Sequence, residues 1–214
     1  MTVDVGALLD SVSTTLLDQS RRTWELPELC SYLNEALAAT ANVKPDMYTR
    51  QEFMTPAAGI SQVIPADGVA LLDIIQNETG QVVTQVDAGL LDEANRFWPA
   101  ATQETEVEHF AADPRDPRRF NVTPPNDGNG SIQILYGAIP ETVTGSSGET
   151  LPIAGSYLAP LTFYVLGKAY AKNSKKQDLG KATSYMNQWG ALIGLKTKGQ
   201  VAVAPKVAVS EGEA

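Results

Sequence analysis

The chain has 214 residues, of which 43% are hydrophobic and 19% are charged, as in globular proteins with a substantial core. The formal net charge of −9 argues against non-specific binding of nucleic acid, because that binding needs clustered lysine and arginine. The only cysteine, Cys30, excludes an intramolecular disulfide and a cysteine-based zinc site. No apolar run has the length of a transmembrane helix, and the first residues lack the basic start of a signal peptide, so we expect a soluble protein made in the cytoplasm.

Two helices are predicted within residues 1–46. In VDVGALLDSVSTTLLDQ, residues 3–19, apolar side chains recur at near-helical spacing and give the first helix one apolar face. The second helix begins around Pro27, a residue that suits a first helical turn, and it also has one apolar face. It ends near NVKPD, because Pro45 disfavours helical backbone at Lys44.

From residue 47 to residue 144, short stretches rich in valine, isoleucine, threonine and aromatic residues predict β-strands. These stretches are YTRQEFM, SQVIP, VALLDIIQ, QVVTQVD, RRFNVT and SIQILYG. Glycine-containing turns separate them, and those at residues 77–80 and 126–130 are predicted to be hairpin connections. A short helix is predicted in DAGLLDEAN, residues 87–95, and the whole segment is interpreted as an antiparallel β region.

Helical patterning returns after the polar linker ETVTGSSGET. Residues 156–172 and 178–195 predict a helical hairpin, joined by the polar turn NSKKQ. The tail KTKGQVAVAPKVAVSEGEA differs, because valine and alanine alternate in it and it contains Pro205. Residues 198–214 are therefore predicted to form an extended arm that a partner orders.

The predicted fold class is α+β. Two N-terminal helices in residues 1–46 and two C-terminal helices in residues 145–197 are expected to pack as one helical bundle. The antiparallel β-rich region, residues 47–144, is an insert between these helical ends, and residues 198–214 follow as an extended C-terminal tail.

The sequence contains no motif for catalysis, for a cofactor or for a metal site. His109 is the only histidine, so a histidine zinc triad is excluded, and we interpret it as a structural residue of a strand. Cys30 lies on the apolar face of the second helix, where a cysteine usually serves as a small core residue. We therefore predict no catalytic, cofactor-binding or metal-binding residue.

Charge is densest in DPRDPRRF, where two prolines stiffen a loop that carries five charged residues. Its side chains could serve a metal, a phosphate, an internal set of ion pairs or a contact with another copy of the chain. The arginines compete with a cation for the carboxylates, so ion pairing is the favoured interpretation. The charged residues are Asp113, Arg115, Asp116, Arg118 and Arg119.

Lysines concentrate around the turn of the predicted C-terminal hairpin. The simplest interpretation is a solvated hairpin tip, and the alternative is a contact with an acidic partner surface or with DNA. The candidates for that contact are Lys172, Lys175 and Lys176, with Lys168 and Lys181 nearby.

The order of the segments resembles that of the head-to-tail adaptor (connector) proteins of tailed bacteriophages. The pieces that carry the resemblance are WELPELCSYLNEALAATANVKPDMYT, VIPADGVALLDIIQN, LLDEANRFWPAA, HFAADPRDPRRFNVTPP and LTFYVLGKAYAKNSKKQDLGKATSYMNQW. They occur in the right order between residues 20 and 195. The first helix and the tail after Gly199 carry no such motif.

The resemblance implies a structural virion protein and not an enzyme. It implies a ring, usually dodecameric, that is docked below the portal at one capsid vertex. Such a ring extends the DNA channel through which the genome is ejected, and it offers a surface to tail, tail-tube or nozzle proteins. DNA would pass through the lumen without specific binding, and no cofactor and no membrane is implied.

The resemblance also implies an extended C-terminus that embraces the portal. An alternating segment suits this role, because it can add to a neighbour's sheet edge or lie in an apolar groove. The portal-binding candidates are Lys198, Val201, Val203, Pro205, Val207 and Val209.

In such a ring, the charged loop is interpreted as a rigid corner that enters the strand at residues 120–123, with Phe120 and Val122 on its inner face. Its arginines would pair within the loop or with acidic residues of the next subunit, which makes the five charged residues subunit-interface candidates. Two alternatives stay open: another head-completion or tail-tube-proximal structural protein, and a small enzyme or small-molecule-binding module with a β-lined pocket.

Overall fold

The computed structural model describes residues 2–203. Within that range, helices and strands are mixed along the chain, so the predicted α+β class is confirmed. The five helices are α1 (Val5–Thr15), α2 (Leu26–Val43), α3 (Ala88–Ala94), α4 (Leu158–Ala171) and α5 (Leu179–Val203). The strands are β1 (Val3–Asp4), β2 (Thr49–Met54), β3 (Gly59–Val63), β4 (Gly68–Asn77), β5 (Thr84–Gln85), β6 (His109–Ala112), β7 (Arg119–Asn126), β8 (Ile132–Ala138) and β9 (Thr150–Leu151).

The helix ends follow from local signals in the sequence. The Asp4 carboxylate accepts a hydrogen bond from the backbone N–H of Ala7 at 2.7 Å and so caps α1. Pro27 stands in the first turn of α2, and α2 ends at Val43, just before Lys44 and the Pro45 that disfavours its continuation. No helix in residues 2–203 is long and apolar enough to cross a membrane.

One hydrophobic core is built by helices from both ends of the chain. Helix α4 contacts α1, α2 and α5. The indole of Trp24, which is fully buried, donates a hydrogen bond to the Ala169 carbonyl at 3.0 Å and ties the connection before α2 to the end of α4. The largest buried aliphatic residues of this core are Leu8, Leu9, Leu29, Leu33, Leu37, Leu161 and Leu166.

The sheets form a second core. One sheet has the order β2-β8-β4 and the other has the order β3-β7-β6-β5. All pairs in these two sheets are antiparallel except β5–β6, which is parallel. Side chains from both sheets meet in one buried cluster, so the two sheets pack on each other; its members include Ile74, Phe110, Phe120, Val122, Ile132, Ile134 and Tyr136.

Of the two predicted hairpin connections, one is confirmed. At residues 77–80 the chain reverses, and the Asn77 N–H donates to the Gln81 carbonyl at 2.8 Å. The prediction for residues 126–130 is wrong, because this segment leads from β7 in one sheet to β8 in the other. The Asn126 amide donates to the Thr105 carbonyl at 2.8 Å, which fixes the crossing to another part of the chain.

Three side-chain amides hold irregular segments as a neighbouring strand would. The Asn34 amide pairs with the N–H and the C=O of Val143, at 2.8 and 3.0 Å. Asn77 binds both backbone groups of Val107 at 2.9 and 2.7 Å. Gln62 does the same for Ala57 in the β2–β3 connection. Each amide satisfies a donor and an acceptor that otherwise lack a strand partner.

The two cores meet where α2 ends and the chain enters the sheets. A short 3₁₀ turn, Pro45–Met47, crosses β8 at Gly137, and a Cβ atom on Gly137 would lie 2.3 Å from the Pro45 carbonyl oxygen. The Ala138 N–H donates to the Tyr48 carbonyl at 2.9 Å. The Tyr48 side chain packs against both cores, so this crossing is their shared boundary.

The C-terminal prediction needs a correction. Helix α5 continues to Val203, so the expected extended arm is wrong for residues 198–203, which include the portal-binding candidates Lys198, Val201 and Val203. Extending an existing helix costs much less than starting one, and lysine, glutamine and alanine favour it, so the helix continues into the first residues of the valine–alanine alternation that predicted a strand-like arm. The remaining portal-binding candidates, Pro205, Val207 and Val209, lie outside the described residues.

We predict that Gly137→Ala destabilises the protein strongly. The new methyl group would overlap the backbone of Pro45, which cannot move away as a flexible side chain can, and we expect a loss of about 1–3 kcal/mol or more in the free energy of unfolding. Urea denaturation measures this loss. Gly190→Ala is the matched control, since a Cβ there meets open space on α5 and alanine favours a helix; it should leave stability equal or higher. Equal stability of the two variants would contradict the prediction.

Candidate assembly surfaces

The charged loop of residues 113–119 is a rigid corner between β6 and β7. The Asp113 carboxylate accepts from the N–H of Arg115 at 2.9 Å, and the Asp116 carboxylate accepts from the N–H of Arg118 at 3.0 Å. The Asp113 N–H and the Arg119 carbonyl close the corner at 3.0 Å. Both aspartates therefore shape the backbone, as turn-forming aspartates do.

The three arginines of the corner have different surroundings. Arg119 forms an ion pair with Asp116 at 3.3 Å, which is the pairing within the loop that the sequence left open. The Arg118 guanidinium reaches instead to the β3–β4 connection, where its Nη2 lies 3.4 Å from the Pro65 carbonyl oxygen. Its Nε is buried and has no hydrogen-bond partner in the described part of the chain. Arg115 is exposed.

The strand that follows the corner, β7, anchors it in the core between the two sheets. Phe120 and Val122 are fully buried in the core between the two sheets, as predicted. The charged residues therefore stand on a rigid element of the sheets and not on a loose excursion of the chain.

The lysine group is largely engaged with other parts of the same chain. Lys172 contacts the Glu28 carboxylate at 2.6 Å, and Lys168 contacts Glu35 at 2.7 Å. Lys176 donates to the Leu17 carbonyl at 3.2 Å, and its ammonium lies 5.2 Å from the centre of the Trp24 ring. These cations therefore help to hold α1, α2 and α4 together. The prediction of a simply solvated hairpin tip holds for Lys175, which is exposed.

Two pKa shifts mark contacts made by glutamates of α2. Burial and the hydrogen bond to Glu28 of the same helix raise the pKa of Tyr32 to about 12. The hydrogen bond to Glu35 raises the pKa of Lys168 of α4 above its usual value, so this ion pair between the two helices is favoured at neutral pH.

The connection between α1 and α2 is organised by one carboxylate. Asp18 accepts hydrogen bonds from the N–H groups of Arg22, Thr23 and Trp24, at 3.1, 2.8 and 3.0 Å. Burial by itself would raise the pKa of Asp18, but these hydrogen bonds outweigh it and hold the pKa below its usual value. The same carboxylate thereby places the Trp24 side chain in the core.

Acidic side chains, the histidine and the cysteine are the residue types that a metal site or a catalytic site would use. Among residues 2–203, no three His, Cys, Asp or Glu side chains are placed to hold a metal ion together. His109 lies in β6, half-buried, and its Nδ1 shares a hydrogen bond with the Thr84 hydroxyl of the neighbouring strand. Cys30 is buried in the helical core, and burial raises the pKa of its thiol.

An exposed apolar surface on α3 and the turn after it was missed by the sequence analysis. Leu90 and Phe97 are 63% and 78% exposed, whereas Trp98 is buried and its indole donates to the Asp92 carboxylate at 2.9 Å. The adjacent aromatic residues Phe97 and Trp98 were visible in the sequence, but periodicity does not tell which of two neighbours faces outward in a short turn.

Comparison with protein families identifies the class of this chain. The family model of the SU10 adaptor protein matches residues 3–208. The chain belongs to that family, and the resemblance to phage head-to-tail adaptors is confirmed. It is therefore a phage structural adaptor protein and a component of the virion. A search of curated proteins found no match.

The family match also covers parts of the chain that carry no recognised motif. It includes α1 and residues up to 208, beyond the helix end at Val203. The family resemblance is thus a property of almost the whole chain, including the helical core that α1 helps to build.

We predict that Asp18 makes stability depend on pH. Because its pKa is lower in the folded than in the unfolded protein, its contribution is fully present above the unfolded pKa, which is about 3.9. It is lost as the pH falls through the folded pKa. Asp18→Asn should therefore be less stable than the wild type at pH 6, and the gap should narrow towards pH 2.

Urea unfolding midpoints between pH 2 and pH 6 measure that gap. The exposed Glu141, changed to Gln, serves as the control and should follow the wild type at each pH. A gap between wild type and Asp18→Asn that stays constant over this range would show that the carboxylate's charge contributes nothing.

Proposed function

We propose that this chain is the head-to-tail adaptor that forms a ring, dodecameric as in the proteins it resembles, directly below the portal. The ring extends the DNA channel and provides the surface to which tail, tail-tube or nozzle proteins attach. The family match over residues 3–208 carries this proposal, since the members of that family are adaptors. In this ring the four long helices, α1, α2, α4 and α5, act as one bundle, and the sheets form an insert that projects from it.

The distribution of charge supports passage of DNA without binding. The chain has a net charge of −9, and several of its lysines are occupied by carboxylates or carbonyls of the same chain. Binding to phosphates would release condensed counterions only where cations are available to replace them. Of the proposed partner-facing residues, Lys172 and Lys176 are engaged within the chain, and Lys175 is the one we assign to an acidic partner surface.

The corner of residues 113–119 suits a contact between subunits. Its backbone is rigid, and the exposed Arg115 points its charge into solvent. In a ring each contact is repeated at every interface, so a modest charge-assisted hydrogen bond has a large summed effect. We assign Asp113, Asp116 and Arg119 to the shape of this corner, and Arg115 and Arg118 to the contact itself.

The C-terminal segment is our proposed portal anchor. It begins at Lys198 in the last turns of α5 and runs to the end of the chain. Helix α5 starts at the hairpin with α4, so the segment leaves the helical part of the molecule and not the sheets. The portal would thus be bound at the helical end, and the sheets would face the tail.

Arg115→Glu tests the subunit contact. We expect it to change the free energy of unfolding by no more than about 0.5 kcal/mol, because an exposed side chain is replaced. It should nevertheless reduce the number of chains that assemble on purified portal, as measured by native mass spectrometry. Arg118→Glu should lower both stability and assembly, since its guanidinium also binds the β3–β4 connection. If Arg115→Glu assembles into a ring as the wild type does, the corner is not part of the subunit interface.

Removal of residues 204–214 tests the portal anchor. The full chain mixed with portal should form a complex whose mass includes a fixed multiple of the chain, and the truncated chain should fail to join it. The truncation leaves all described residues in place, so its thermal unfolding should match that of the full chain. A truncated chain that still joins the portal would place the anchor elsewhere, and a full chain that ignores the portal would overturn the adaptor proposal.

A further inference from the structure

One end of the helical part exposes large apolar side chains. Leu17 follows α1 and is 86% exposed, and Leu179 begins α5 and is 62% exposed. Leu17 also has a φ of 54°, a left-handed conformation that leucine rarely adopts. It is held there because the adjacent Asp18 binds the following turn and Lys176 binds the Leu17 carbonyl. We call Leu17, Leu179 and the cations around them the basic tip.

The basic tip is positive although the chain as a whole is acidic. Of the five lysines in residues 168–181, three form ion pairs with Glu35, Glu28 and Asp178, and the exposed Lys175 and Lys176 have no carboxylate partner among the salt bridges of the described residues. Arg22 adds a further exposed cation beside Thr23, whose carbonyl accepts a hydrogen bond from Lys172. The tip therefore combines apolar and positive surface, and its partner should combine apolar and negative surface.

The chain carries a surface of that kind on the segment of residues 87–108, which we call the α3 platform. Its exposed apolar side chains are Leu90 and Phe97. They are held outward by a fixed backbone, because the buried Trp98 is bonded to Asp92 and the Asn95 side chain accepts from the Phe97 N–H at 3.0 Å. The platform contains six acidic residues and one arginine, a net charge of −5.

The two surfaces belong to different parts of the chain. The basic tip surrounds the start of α2, where Lys172 contacts Glu28, whereas the platform follows β5 of the sheets. In residues 2–203, no hydrogen bond or salt bridge joins the platform to residues 168–181. Their complementarity is therefore not used within one chain.

We propose that the basic tip of one copy docks on the α3 platform of the next copy. The exposed leucines of the tip would pack against Leu90 and Phe97, and the surrounding charges would attract and orient the two surfaces. Two different surfaces meet in this contact, so it is heterologous, the type that closes into a ring when the rotation between copies allows it. This inference rests on the proposed ring and adds a second contact between its subunits to that of the corner of residues 113–119.

Two double variants separate the two halves of the contact. The tip variant carries Arg22→Glu and Lys175→Glu, and the platform variant carries Glu93→Lys and Glu108→Lys. All four side chains are exposed, so the variants should fold like the wild type, which thermal unfolding checks. Self-association of the full chain is measured by sedimentation equilibrium at low ionic strength, where charge contacts are least screened.

We expect the wild type to self-associate and each double variant to associate at least about tenfold more weakly, because like charges then face each other. A mixture of the two variants should recover association. The intact tip of the platform variant meets the intact platform of the tip variant, and the two altered surfaces also carry charges of opposite sign. A chain with all four changes should regain association, because both signs are exchanged.

Three results would overturn the inference: a wild type that stays monomeric at high concentration, variants that associate as well as the wild type, or a four-fold variant that fails to recover. None of these results requires the portal. If the chain joins the portal normally while the variants have no effect on assembly, the adaptor function stands and this interface is wrong. If the variants change self-association as expected but the chain does not join the portal, this interface stands and the adaptor function is wrong.

Discussion

The close crossing of Pro45 over Gly137 is the constraint on which the arrangement of this molecule depends. The helical core and the sheets are separate clusters of buried residues, and they share little besides Tyr48 and this crossing. A side chain on residue 137 would push the 3₁₀ turn away from β8, the central strand of its sheet. The close packing of the 3₁₀ turn on β8 therefore requires glycine at residue 137.

The irregular segments around this crossing are kept rigid by polar side chains. Long connections usually move, because they lack the paired backbone groups of a strand. Here Asn34, Gln62 and Asn77 supply the missing pairing, each to both backbone groups of one residue in a connection. The proposed ring would need surfaces whose positions do not fluctuate, since each error in one interface is repeated around the axis. These three amides fix the connections by hydrogen bonds and not by apolar packing.

The local part of this fold could be predicted from the sequence, and the long-range part could not. Apolar spacing and the prolines at 27 and 45 predicted α1 and α2, and the buried pair Phe120 and Val122 followed from strand alternation. The turn at residues 126–130 was misinterpreted because its composition gives no information on which sheet receives the next strand. The lysines were misjudged for a similar reason: Lys172 meets Thr23 across 149 positions of sequence. The exposure of Phe97 depends on the anchoring of Trp98, which no pattern of spacing reveals.

Most lysines of the C-terminal hairpin contact groups of the same chain, and these contacts limit the positive charge that a partner or DNA could meet. In the proposed ring, free cations that faced the channel would slow the DNA by binding its phosphates. In this chain Lys168 and Lys172 are neutralised by glutamates of α2, and the Lys176 ammonium lies against the Trp24 ring. These cations therefore stabilise the helical core. What remains exposed is a small positive end on an acidic molecule. In the proposed assembly, an acidic surface would let DNA pass and the positive end would recognise acidic protein. The two roles are compatible because the same helices that gather the lysines also occupy most of them.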